Sequence, residues 1–542
     1  MDKIPKKNQM IKKKIKKLVE LITIHKLDGY IVPKNDAYFS EFAIPDRLKT
    51  ISNFSGSAGF AVITKKKNYL FVDGRYTIQA KNQAGKFFKI IEIPKMTPSD
   101  IFRKYKKKLL LGFDPQLFTN RSLKNNFKDS CNFLQVKNNL IDIIDKSIVR
   151  ETVAPFYTLS KKITGESAIS KINRLTKKMK LNKIDNIFIS APENVAWLLN
   201  LRGKDSPCSP IPNCKIILTN KKKIFFFSCP KKINKILKNK PLINFNFCIY
   251  KDFSKIINGL SGKNFCVDGL TCSVSNESAI KLIFNIKNYT DPCYLMKSIK
   301  NPTEIKQMIV SHIKDGLALT KFIYWIKNVN KKKITEMDAQ RKLEKFRKDN
   351  SDYLFPSFNT IAGTGSNGAI VHYQSTKETN KTIKKKDIFL CDSGGQYKYG
   401  TTDVTRTICF AQQSNSTKNI FTKVLKGHIA VATSNLKKFD SGKKIDERAR
   451  YFLKKDGLDY AHGTGHGVGF FLNVHEGPQS ISKYNKIKLR EGMILSNEPG
   501  YYKQGHFGIR IENLVYIKKD KNNLFFENLT LAPIEKDLIN YE

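Results

Sequence analysis

Two stretches in the last third of the chain share one plan, and that plan narrows what the chain can fold into. KKDIFLCDSGGQYKYGTTDVTRT reads as strand, glycine-rich turn and strand, with Asp392 ending the first strand and Asp403 opening the second. REGMILSNEPGYYKQGHFGIRIENLVYI repeats the plan, with Glu498 and Glu512 in the matching places. Eleven residues separate the first pair and fourteen the second, and both turns carry Gly and Tyr. Two such hairpins facing each other across a pseudo-twofold bring four carboxylates to one centre. Four anions in a dry site repel strongly, and bound cations are the natural neutraliser. In GIRIEN, strand alternation puts Arg510 and Glu512 on one face and Ile509 and Ile511 on the other. That is the pattern of a strand with a core side and a charged inner side.

HGTGHGVG, from His462 to Gly469, lies between the hairpins. His462 and His466 are four apart and would share a helix face, but the interleaved glycines argue against a helix. A loop or strand edge with one ligand, His466, is the expectation. One imidazole and four carboxylates suit two divalent cations that share bridging oxygens. VHEGP supplies His475, and the glycine-rich FPSFNTIAGTGSNGAIVHY is expected to deliver His372 from a strand end. His25, His312 and His428 read as satisfied core histidines.

These residues and motifs, with NEPGYY and GIRIEN, resemble the metallopeptidase family of aminopeptidase P, prolidase and methionine aminopeptidase. The closest resemblance is to the long, three-domain Xaa-Pro aminopeptidases. It implies an α/β (α+β) chain with a C-terminal pita-bread domain behind two related creatinase-like α/β domains. It also implies a metal set of Asp392, Asp403, His466, Glu498 and Glu512, with Glu512 bridging and Glu498 shuttling a proton. His372 and His475 would bond the scissile carbonyl or its oxyanion, His462 would face the prolyl side, and Arg510 would orient the carboxylates. Two cations, Mn2+ by preference with Zn2+ or Co2+ admitted, would hold a bridging hydroxide that attacks the Xaa-Pro bond. Peptides with proline second are the implied substrates, and a cytoplasmic homodimer the implied assembly. Prolidase, which takes dipeptides, is the nearest alternative. A non-catalytic pita-bread module that binds peptides or histones is a more distant one, because such modules typically lose metal ligands.

The charge balance is extreme: 97 Lys and Arg against 47 Asp and Glu give a formal +50. Such charge can signal nucleic-acid or membrane binding. The lysine runs, however, recur along the whole chain and are not interleaved with aromatics as on a single-strand platform. A lysine- and asparagine-rich bias over solvated faces is the expectation, with no specific nucleic-acid partner. The 10 cysteines contain no CxxC and suit reduced thiols. No apolar run nears the roughly 18 residues of a membrane span. LVELITI is short and interrupted by Glu20, so a signal peptide is not expected. Animal members of the long form usually extend further at the C-terminus, a departure that bears on assembly.

Three domains are expected, at residues 1–153, 154–296 and 297–542. In the first, MIKKKIKKLVELITIHK reads as an amphipathic helix with Ile11, Ile15, Leu18, Val19 and Ile22 inward. GYIVP is a buried strand, SEFAI opens a helix, and AVITKKKNYLFVD is a hairpin. Asp73 and Arg75 are expected to fix its corner. NIFIS, ENVAWLLNLRG and CKIILTNKKKIFFFS repeat that pattern, which indicates a domain-sized internal duplication. IKNPTEIKQMIVSHIKDGLALTKFIYWIKN then reads as a long helix with Thr303 as N-cap and Ile305, Met308, Ile309 and Ile313 in the core.

Overall fold

The computed structural model describes residues 6–148, 154–232, 245–330 and 333–542. The expected boundary after residue 153, and Lys331 and Lys332, lie outside them. The chain divides into two compact units: Met1–Thr158, Ala168–Pro207 and Ile211–Pro292 in one; Leu159–Ser167, Cys208–Pro210 and Cys293–Glu542 in the other.

The first unit holds two six-stranded sheets of one topology. Strands β1 (Gly29–Pro33), β2 (Phe60–Thr64), β3 (Asn68–Asp73), β4 (Lys89–Ile93), β5 (Leu109–Phe113) and β6 (Cys131–Gln135) lie in the order β4–β3–β2–β1–β5–β6. Strands β7 (Asn186–Ile189), β8 (Lys215–Thr219), β9 (Ile224–Phe227), β10 (Asn246–Cys248), β11 (Asn264–Val267) and β12 (Asn285–Asn288) lie in the order β10–β9–β8–β7–β11–β12. In both, the lysine turn joins an antiparallel pair at the second and third positions. Helix α1 (Lys6–Ile24) buries Ile11, Leu18 and Ile22 and half-buries Ile15 and Val19, as its periodicity predicts. Arg75 grips Asp73 through Nε and Nη2 at 2.9 and 2.8 Å, closing the corner of β3. SEFAI is not helical: it ends in a turn before Pro45, whose ring disfavours helical backbone at Ile44, and Asp46 caps a helix that starts at Arg47. His25 is exposed just beyond α1, past its last buried apolar residue, and is no core histidine.

The second unit is built twice from the same parts. Helices α2 (Pro302–Asn328) and α3 (Glu336–Lys348) precede β13 (Tyr353–Pro356), β14 (Ile361–Thr364), β15 (Ile388–Ser393), β16 (Gly395–Tyr397), β17 (Gly400–Thr401) and β18 (Val404–Cys409). Helices α4 (Asn415–Ala432) and α5 (Gly442–Lys454) precede β19 (Gly465–Gly467), β20 (Glu476–Ile481), β21 (Ile494–Asn497), β22 (Gly500–Lys503), β23 (Phe507–Arg510), β24 (Asn513–Asp520) and β25 (Asn523–Asn528). Each helix pair covers the apolar face of its own hairpin. Phe322, Ile326 and Leu343 pack on Phe389, Cys391 and Val404; Val431, Ile445 and Ala449 pack on Leu495, Val515 and Ile517.

The cap of α2 is Asn301, not Thr303. Pro302 takes the first helical position, where its missing N–H costs nothing, and Asn301 and Glu304 form a reciprocal capping box. Met308, His312, Asp315, Leu319, Phe322 and Ile326 face inward, while Ile309 and Ile313 are exposed. His312 is buried and donates from Nδ1 to the Met308 carbonyl at 2.7 Å.

Candidate metal centre

Each carboxylate-bearing hairpin is two ladders with a break between them. β15 pairs antiparallel with β18, and β16 with β17; β21 pairs with β24, and β22 with β23. Asp392 lies near the end of β15, whereas Asp403, Glu498 and Glu512 sit in the two-residue breaks themselves. A continuous strand would point successive side chains to opposite faces; the breaks free these carboxylates to turn to one side.

The HGTGHGVG segment reaches them because its glycines let two strands close on it. β19, with His466 at its middle, runs between β20 and β21 rather than along an edge. A Cβ on Gly465 would strike the Ser496 carbonyl, and one on Gly467 the Glu476 carbonyl. Upstream, Arg450 on α5 donates to the carbonyls of Tyr460 and His462 at 2.7 and 2.6 Å, and Asp446 one turn earlier receives Thr464 Oγ1 at 2.6 Å. The loop is thus fixed from the helix below it.

His466 Nε2 lies 3.3 Å from Asp403 Oδ2 and 3.5 Å from Glu498 Oε1. Its Nδ1 is 2.9 Å from the Gly467 carbonyl, which can only accept, so Nδ1–H donates and Nε2 is the nitrogen presented to the carboxylates. One donor atom each from Asp403, His466 and Glu512 lie within 4.8 Å of one another. Thr405 Oγ1 donates to Glu512 Oε2 at 2.7 Å and accepts from Arg510 Nε at 3.0 Å. Arg510 Nη2 donates to Asp392 Oδ2 at 2.7 Å. The hairpins are therefore cross-tied by residues on the strand faces that alternation assigns to them, with Ile509 and Ile511 in the core behind.

Burial and crowding make the cluster hungry for positive charge. Burial, then the charges of Asp403, Glu498 and Asp392, push the Glu512 carboxyl well above its usual range. Burial likewise raises Asp403 to about 6 against the relief His466 gives. For His466 burial works downward, but Asp403 and Glu498 outweigh it and raise the imidazole to about 9. Asp392 Oδ1 is buried with no hydrogen-bond partner. An orphaned carboxylate oxygen among raised carboxyls fits a divalent cation. Among the described residues a second trio, Cys409, Glu535 and Asp537, has donor atoms equally close. There Lys327 already supplies the charge, at 2.8 Å from Glu535 and 3.2 Å from Asp537.

Two further histidines are tied to this centre, His475 and His462. His475 is exposed, with its ring edge-on to His466 at 4.4 Å between centroids. His462 donates from Nδ1 to the Gly463 carbonyl at 2.7 Å, and its Nε2 meets Tyr502 Oη at 2.8 Å. Tyr502 in turn receives Arg510 Nη1 at 2.6 Å, so His462 is linked through Tyr502 and Arg510 to Asp392. His372 does not leave a strand end: it is half-buried in a turn beyond β14 and a 3₁₀ turn at Gly365–Asn367. Its neighbour Tyr373 packs with Ile361, Leu390 and Tyr502. His428 is buried against the Asn497 carbonyl at 3.1 Å, and burial lowers it to about 4. Thr405 and Tyr502 escaped the sequence reading. Thr405 is two residues after Asp403, in the TTDVTRT motif the sequence already singles out.

Residues 306–519 match metallopeptidase family M24, and residues 14–145 and 150–304 each match a creatinase/prolidase N-terminal domain. A probable Xaa-Pro aminopeptidase P of Laccaria bicolor is 37% identical over 97% of this chain and 86% of its own length. The chain belongs to metallopeptidase family M24. Another relative, Xaa-Pro aminopeptidase 1 of Dictyostelium discoideum, is 36% identical over 98% of this chain and 90% of its own. Among solved structures, the X-prolyl aminopeptidase of Caenorhabditis elegans, a cytosolic enzyme with a di-nuclear active site, matches with a TM-score of 0.90 and 30% identity. The match covers 98% of this chain and 92% of that one. The prolidase of Pyrococcus furiosus matches with 0.53 and 26% identity over 66% of this chain and 100% of its own. As an M24 member the chain is a metallopeptidase with a pita-bread domain behind creatinase-like domains.

Proposed function

We propose that this metallopeptidase removes the N-terminal residue from peptides whose second residue is proline. Two divalent cations would be held by Asp392, Asp403, His466, Glu498 and Glu512. The observation that carries the reading is the Asp392 oxygen, buried without a partner beside carboxyls that burial and mutual repulsion raise. Relatives of matching length, which are named Xaa-Pro aminopeptidases, support it. An oxygen-rich set with one imidazole favours manganese, with zinc or cobalt admitted. When bound, the cations supply Lewis acidity and an activated water.

The chain's own groups do the rest. The Xaa-Pro bond has no N–H, so recognition falls on its carbonyl and on the prolyl ring. In this reading His475, whose ring lies beside His466, donates to that carbonyl, and His372 is the second donor. Losing one such donor typically costs about 10²–10³ in rate. Glu498 Oε1 is held by Ser496 Oγ at 3.0 Å, and Glu498 is the group that moves the water's proton. Arg510 and Thr405 hold Asp392 and Glu512 in place, and Tyr502 holds His462 toward the prolyl side. The cytoplasmic homodimer implied by the resemblance belongs to the same reading, as does the absence of a nucleic-acid partner. No helix among the described residues is long and apolar enough to cross a membrane.

The test is hydrolysis of a short Xaa-Pro peptide and of Gly-Pro, with and without chelator. Chelator-sensitive release of the first residue from the longer peptide is expected. Cleavage of Gly-Pro alone would make the protein a prolidase instead, and activity indifferent to the chelator would overturn the metal reading.

A further inference from the structure

Glu476 follows His475 directly, and its carboxylate is buried between two lysines. Lys300 Nζ pairs with Oε1 and Lys297 Nζ lies 3.2 Å from Oε2, with all three side chains 0–1% exposed. Burial alone would raise the carboxyl, but the two ammonium groups outweigh it and hold it below its ordinary range. Burying three charges is a poor way to gain stability, since apolar groups of similar volume often do as well. What the trio has is position. Lys297 lies in the helix Pro292–Ser298 and Lys300 in the link before α2, so the anchor is on chain outside both hairpins. On its other side the carboxylate lies against Gly469, where a Cβ would stand 3.0 Å from Oε2. The Gly469 N–H donates to the Asn473 carbonyl at 2.9 Å, closing the loop between His466 and His475 around Glu476. β19 pairs Gly467 with Glu476, one residue from each histidine.

We infer that Glu476 is a positioning residue: the Lys297–Glu476–Lys300 clamp sets the His475 ring edge-on to His466 and fixes where His475 presents its proton. The consequence for turnover rests on the peptidase reading above; the placement of the ring does not.

Glu476→Gln keeps the shape and removes the charge. In zinc-loaded protein the His475 imidazole resonances are expected to move while those of buried His428 stay. Turnover of an Xaa-Pro peptide should fall about 10²-fold at unchanged KM, the scale of a misplaced catalytic group. In a His475→Ala background the same substitution should cost nothing further, because it acts through the missing ring. His475 resonances that stay put, or a full second loss in the His475→Ala background, overturn the inference. If the resonances move but the unaltered protein cleaves no such peptide, the clamp stands and the peptidase reading falls. Lys297→Met, which removes the 3.2 Å partner alone, carries the same readouts should Glu476→Gln fail to fold.

Discussion

In the first hairpin every residue of β15, β16, β17 and β18 is buried, and its two candidate ligands are aspartates. In the second hairpin the outer strand β22 is half-exposed to exposed beyond Gly500, and the candidate ligands are glutamates. One arm reaches the centre with short side chains from a backbone packed on all sides. The other reaches it with longer side chains, from a ribbon whose tip meets solvent and carries Tyr502. On the proposed metal reading the contrast would divide the work: the first hairpin would set where the cations sit, and the solvent-side tip of the second would meet the substrate. Cross-ties by Arg510 and Thr405 keep the two in register.

That division can be broken. Asp403→Ala should have the largest effect, with bound metal and peptidase activity falling below detection together by elemental analysis and assay. Metal retained at full stoichiometry would show that the rigid arm does not place it. Next is Arg510→Met, which leaves Asp392 buried without its cationic partner. Removing one side of a buried ion pair costs about 3–5 kcal/mol, so the unfolding free energy of the metal-free protein from chemical denaturation should drop by that measure. A change within error would mean the hairpins are not coupled through this pair.

Acidity separates the metal-free and loaded forms. Asp403 is raised from 3.8 to about 6 and His466 from 6.5 to about 9, so both hold protons more tightly folded than unfolded. Their contribution to metal-free stability is present at low pH and lost as pH rises through those windows. Metal binding needs the same groups deprotonated. The melting-temperature gain on adding metal should therefore grow from pH 6.5 to 9; a gain that shrinks over that range contradicts the assignment. The smallest effect belongs to the solvent-side arm. Tyr502→Phe removes the hydroxyl between His462 and Arg510 and should cost about 1 kcal/mol, with metal content unchanged and KM for the Xaa-Pro peptide raised.

Much of this was legible in the chain because it is local. The duplicated lysine hairpins, the inward stripe of α1 and the alternation around Arg510 and Glu512 all follow from periodicity. What failed was equally physical. Thr303 has the right chemistry for a cap, but Pro302 takes the first helical position and moves the cap to Asn301; Ile309 and Ile313, expected in the core, are exposed because polar Asp315 and His312 share the inward face instead. The strand breaks that hold Asp403 and Glu498 have no marker in an alternating pattern. Nor does any local signal tell that Lys297 and Lys300, among so many lysines, are the two that meet Glu476 across more than 170 residues of chain.

The central claim is that the two unlike arms together hold a pair of cations. It is tested most directly by titrating manganese into chelated protein and following bound metal alongside hydrolysis of an Xaa-Pro tripeptide. Saturation of both at two equivalents per chain is the predicted result; activity that saturates at one equivalent, or that needs none, would contradict it.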